Sequence, residues 1–161
     1  MSGYVVVGVG NEYRRDDAAG LEVASLLEGL VTAGVSVVTC PQEPSRLLDA
    51  FEGVEGALVI DACSSGAAPG TVHRFDAADG AIPERVFRSS THAFGVGEAI
   101  ELARALGRLP ARVIVYGIEG AAFGGGEELS PEVAAAVERT AGLIREDLEQ
   151  LTREAPCTSE R

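Results

Sequence analysis

The run Tyr4-Val-Val-Val-Gly-Val9, nearly all β-branched and closed by Gly10, constrains the fold most. An apolar stretch without polar alternation suits a strand buried on both faces, the condition of a central strand in a parallel sheet flanked by helices. The pattern recurs. Val35 to Thr39 reads as a second strand, Ala57 to Ile60 as a third and Arg112 to Ile118 as another buried one, with Thr71 to Phe75 expected as an edge strand. Leu21, Val23, Ala24, Leu27 and Leu30 fall near helical spacing and predict a helix over 17–32, with Asp16 and Asp17 supplying its N-terminal cap. Pro44 to Phe51 reads as a short helix, His92 opens another that runs to Leu106, and Ser130 as cap with Pro131 at the first helical position starts the last. This alternation implies an α/β fold, a three-layer αβα domain whose mostly parallel twisted sheet carries helices on both faces. Residues 1–151 are expected to form that single domain and 152–161 a polar tail.

Composition narrows the chemistry. A formal charge of −12 argues against nucleic acid and anionic membranes as partners, since either requires a basic patch, and favours a partner with a basic surface. All thirteen basic residues are arginine, which excludes Schiff-base and P-loop lysine chemistry. Cys40, Cys63 and Cys157 are odd in number and form no Cys-x-x-Cys pair, so the expectation is a reduced, cytoplasmic protein without a disulfide framework or structural zinc. The N-terminus runs into a strand without a charged leader, and no apolar stretch reaches the roughly 18 to 20 residues that span a bilayer. A soluble, unprocessed chain is expected.

Three side chains lie where an open parallel sheet binds ligands, beyond the carboxyl ends of its strands: Asp17, Asp61 and His92. Two carboxylates and an imidazole suit a metal with open coordination positions, or, without a metal, shared general acid and base work. Taken singly, each has a bland alternative: Asp17 favouring a helix dipole, Asp61 accepting backbone hydrogen bonds, His92 capping its helix. A dinucleotide site fails on detail, because Tyr13 replaces the third glycine of the fingerprint and Asp16 and Asp17 would repel a pyrophosphate. Cys63 with His92 as base would make a cysteine hydrolase, though a small buried cysteine is the commoner case. His73 reads as a partly exposed structural histidine, with metal ligation as its alternative. Asn11 is expected to fix the first loop, Asp16 to support the site, and Glu119 to serve as reserve ligand or substrate contact. The stretch Ala121 to Glu128, with glycines at 124, 125 and 126, reads as a flexible loop, either a substrate-contact lid or a tolerated surface loop.

Gly8-Val-Gly-Asn-Glu-Tyr-Arg-Arg-Asp-Asp17, Val59-Ile-Asp61-Ala, Pro69-Gly-Thr71, Ser90-Thr-His92 and Gly117-Ile-Glu119 followed by Leu129-Ser-Pro131 together resemble the [NiFe]-hydrogenase maturation endopeptidases. The likeness extends from Tyr4 to about Leu151. It implies a cytoplasmic protease that removes a C-terminal extension from a nickel-loaded hydrogenase large-subunit precursor, with Asp17, Asp61 and His92 as catalytic and metal-recognising residues. Nickel would be supplied by the substrate, with no tightly bound metal of the protein's own and no nucleotide. A monomer is favoured. A non-catalytic checkpoint or chaperone binding the same precursor is the alternative from another class, and a Cys63-dependent hydrolase a weaker one.

Overall fold

The computed structural model describes residues 3–30, 32–41, 46–78, 80, 82–83 and 95–154. Five strands form one sheet: β1 (Tyr4–Gly10), β2 (Val35–Pro41), β3 (Gly56–Cys63), β4 (Val72–Asp76) and β5 (Arg112–Glu119), in the order β2-β1-β3-β5-β4. All neighbours pair in parallel except β4, which runs antiparallel along β5. Every residue of β1 is buried, as its unbroken apolar run requires. The edge strand β4 is half-buried and displays Arg74 to solvent, a charge that discourages pairing with another chain.

Helices cover both faces, giving the expected three layers. Helices α1 (Ala19–Leu27) and α4 (Pro131–Glu154) bury Val23, Leu27, Val137 and Ile144 against Val6, Leu58, Ile60 and Tyr116. On the opposite face, α2 (Leu47–Ala50) and α3 (Val96–Ala105) bury Leu47, Ile100 and Ala103 against Val7, Val59 and Val115. Odd and even strand residues thus serve different cores, the period-2 consequence of the pleat.

Several boundaries differ from expectation. The first helix ends at Leu27 rather than 32, because Gly29 turns the chain at a φ of +76° and leaves Leu30 exposed. Its beginning is a 3-10 turn, Arg15–Ala18, and the N-cap positions of that turn and of the helix are Arg14 and Ala18 rather than Asp16 or Asp17, and neither caps through its side chain. Helix α3 opens at Val96, where the Glu98 carboxylate accepts the Gly95 N–H at 3.1 Å, four residues beyond His92. His92 itself, and Cys157, lie outside the described residues. Pro131 does begin α4, but the Ser130 hydroxyl turns away from the helix. Helix α4 extends to Glu154, three residues into the stretch read as tail. Strand β3 runs to Cys63, so Asp61 and Cys63 are strand residues on one face. Among the described residues no helix is long and apolar enough to cross a membrane.

Candidate active site

The strand order reverses direction between β1 and β3, since the chain leaves β1 toward β2 on one side and later adds β3 on the other. At such a switch point the loops part and leave a crevice beyond the strand ends. Asp17 follows β1 and Asp61 lies near the end of β3, so the fold brings these two to one crevice.

Close packing holds Asp17 there. Gly10, at a φ of +158°, lets the chain fold back so that a Cβ built on it would lie 2.1 Å from the Asp17 carbonyl oxygen. A Cβ on Gly20 would meet the Ile60 and Val9 carbonyls at 2.4 Å, so only glycine admits α1 this close to β1 and β3. Asn11 fixes the intervening loop as expected: its Oδ1 accepts the Tyr13 N–H at 2.9 Å, and its own N–H donates to the Asp17 carbonyl at 3.1 Å. Asp17 is 4 % exposed, and Asp61 is half-buried with its Oδ1 accepting the Ala62 N–H at 2.8 Å. Desolvation first, and the Asp17 charge second, push the Asp61 carboxyl well above the usual carboxylate range, and the Ala62 hydrogen bond only partly opposes them. A neighbouring negative charge disfavours ionisation of the second carboxyl, and two carboxyls of unequal acidity are the arrangement in which one group can give a proton while the other takes one.

Asp16 does something the sequence did not disclose. It is fully buried, and its carboxylate gathers a distant loop: Oδ2 accepts Ala121 N–H and Ala122 N–H, each at 2.8 Å, and Ser130 Oγ at 2.8 Å, while Oδ1 accepts Ser130 N–H at 2.7 Å. Burial alone would raise its pKa, but these donors outweigh it and hold the carboxyl below the usual range. The Ala121–Glu128 loop, expected to be flexible, is tied down along its length. Arg14 donates to Phe123 O at 3.0 and 3.2 Å, and Arg15 N–H to Gly126 O at 2.9 Å, with Arg15 held at a φ of +51°.

Glu119 and Cys63 belong to a neighbouring cluster. Glu119 is 2 % exposed and accepts hydrogen bonds from Ser65, Gly66, Cys63 and His73. Burial opposes its charge, yet the Cys63 and Ser65 donors prevail and its pKa is lowered. Burial and the Glu119 hydrogen bond push the Cys63 thiol up, the opposite of what an activated nucleophile needs. A Cys63-dependent hydrolase is therefore disfavoured by its surroundings. No signal in the sequence tied Cys63, His73 and Glu119 together, because their association depends on which strands become neighbours.

An open-sheet α/β protein with a carboxylate pair at its switch point is built for acid–base or cation chemistry rather than for cradling a phosphate. The chain belongs to the hydrogenase maturation protease family, whose model matches residues 22–147, a span that contains Asp61 and His92 and begins just after Asp17. It is 25% identical over 94% of its length to a hydrogenase expression/formation protein, HupD, of Thiocapsa roseopersicina, covering 75% of that protein. Its fold is similar to the hydrogenase maturating endopeptidase HybD from Escherichia coli, with a TM-score of 0.79 at 22% identity over 92% of this chain and 93% of that one. The [NiFe] hydrogenase maturation protease HycI from Thermococcus kodakarensis aligns with a TM-score of 0.74 at 27% identity, over 91% of this chain and 92% of that one.

Proposed function

We propose that this protein is the endopeptidase that removes the C-terminal extension of a [NiFe]-hydrogenase large-subunit precursor once nickel has been inserted, acting in the cytoplasm with Asp17, Asp61 and His92 as its catalytic and metal-recognising set. Family membership supports the peptidase class, and the observation that carries the site assignment is the placement of Asp17 after β1 and Asp61 near the end of the adjacent β3, at the switch point. In this reading nickel arrives with the substrate. A carboxylate pair with one imidazole is a hard, incomplete set for nickel, so recognition relies on the thiolates with which the precursor already holds the ion. In this reading the Asp61 carboxyl, whose pKa burial and the Asp17 charge raise, donates to the leaving amine, and the Asp17 carboxylate orients or deprotonates the attacking water.

The test is intact-mass analysis of a nickel-loaded large-subunit precursor incubated with the protein. Wild type releases a short C-terminal peptide, and Asp17→Asn, Asp61→Asn and His92→Ala slow release by at least about 100-fold, the usual scale of a lost general acid or base. A stable complex whose precursor is never shortened would instead identify a non-catalytic checkpoint.

A further inference from the structure

Cys63 Sγ, His73 Nε2 and a Glu119 carboxylate oxygen lie within 4.8 Å of one another. They come from three adjacent strands. Cys63 and Glu119 are register partners on β3 and β5, and His73 on β4 pairs with Gly117, two residues before Glu119 on the same face. Cys63 Sγ is 3.2 Å and His73 Nε2 3.3 Å from the same oxygen, Glu119 Oε2. A tetrahedral zinc ion, with sulfur at about 2.3 Å and nitrogen or oxygen at about 2.0 to 2.1 Å, sets its donors about 3.3 to 3.5 Å apart. The Sγ–Oε2 and Nε2–Oε2 separations nearly match those edges, and the Sγ–Nε2 separation, within 4.8 Å, closes on the ion by a side-chain adjustment.

The carboxylate is also prepared as a ligand should be. Its other oxygen, Oε1, is anchored by Ser65 N–H at 2.6 Å and Gly66 N–H at 3.0 Å, which leaves Oε2 aimed at the thiol and imidazole. Ser65 Oγ, 2.9 Å from Oε2, stands beside the open position. Cys63 and Glu119 are buried, whereas the His73 side chain is 22% exposed and gives an ion a way in.

We propose that Cys63, His73 and Glu119 form a second metal site, distinct from the switch-point crevice, that takes one borderline divalent cation of the zinc type. A thiolate donor excludes magnesium and calcium, which select all-oxygen sets, and three protein ligands leave a fourth position to Ser65 or water. Binding releases the Cys63 thiol proton to solvent. His73 then presents its Nε2 lone pair with its remaining proton on Nδ1. Asp61, two residues before Cys63 on the same face, is roughly 7 Å away along the strand, so occupancy here is separable from occupancy there.

The experiment is a Co2+ titration of the full, metal-free chain, followed by the near-ultraviolet thiolate-to-cobalt absorption and by native mass spectrometry. Wild type and Asp61→Asn bind one Co2+ with the thiolate band, and excess Zn2+ displaces it. Cys63→Ser abolishes the band, and His73→Gln weakens binding by more than about 100-fold, beyond the effect of losing an outer-shell partner. Absence of a thiolate band in wild type, survival of the band in Cys63→Ser, or its loss in Asp61→Asn would each overturn the proposal. Should Cys63→Ser fail to fold, His73→Gln, at the partly exposed ligand, decides alone, and unchanged affinity there refutes the site.

Discussion

Ser130 gives Asp16 both of its donors, the backbone N–H to Oδ1 at 2.7 Å and the hydroxyl to Oδ2 at 2.8 Å, across 114 residues of sequence. The residue beside Asp17 thereby fastens the start of α4 to the loop that carries Asp17. Replacing Asp16 by Asn turns one acceptor into a donor facing donors, so the variant is expected to lose about 2–4 kcal/mol of stability at pH 7. Because the folded carboxyl titrates below its ordinary value, its contribution is present above that value, near 4, and is lost as pH falls through the folded pKa. Denaturant titrations at pH 7 and pH 3 should show the gap between wild type and Asp16→Asn narrowing in acid.

Asp61 behaves in the opposite sense. Its raised pKa means that folding is favoured while it is protonated, fully so below the ordinary value near 4, and that this advantage is lost as pH rises through the folded pKa. Asp61→Asn keeps the shape and the acceptor for the Ala62 N–H. It should be more stable than wild type at pH 7 by on the order of 1 kcal/mol or more, with the difference vanishing below pH 4, and inactive in precursor processing. Thermal melts across pH, paired with the intact-mass assay, check both halves.

Glycines separate by what surrounds them. Gly20→Ala would drive a methyl group into the Ile60 and Val9 carbonyls at 2.4 Å and should cost at least about 3 kcal/mol while lifting Asp17 from the crevice. Gly142→Ala, in the exposed middle of α4 with nothing within 4 Å of the added carbon, should stabilise by about 1 kcal/mol. Equal melting temperatures for the two variants would refute the packing argument.

Tyr116 is fully buried in β5, and its hydroxyl donates to the Asp147 carboxylate, which Arg74 also grips through two hydrogen bonds at 3.0 Å. Tyr116→Phe should cost about 1 kcal/mol by chemical denaturation and leave the Arg74–Asp147 pair intact. Burial first, then Asp147, raises the phenol pKa, so alkaline absorbance titration should show this tyrosine ionising after the other two.

Much of the fold was legible from local pattern. Continuous apolar runs located β1, β3 and β5 because strands buried on both faces need no polar alternation, and Ser130-Pro131 marked the start of α4. Asp17 and Asp61 were legible as candidates because each follows or ends a strand, and parallel strands deliver such residues to one edge. Helix ends were less legible: Leu30 continues the apolar spacing, but the backbone turn at Gly29 overrides it.

By itself, then, the sequence determined the class of fold and the edge at which the acids gather, since both follow from short-range periodicity. Only the tertiary structure decided which strands are neighbours. The order β2-β1-β3-β5-β4 places Asp17 and Asp61 at the switch point, and the register of β3, β5 and β4 assembles Cys63, Glu119 and His73. It also decided that Asp16 binds Ser130 rather than capping its own helix. The reason is physical: a buried carboxylate must find donors wherever the packed chain supplies them, and for Asp16 they lie more than a hundred residues away.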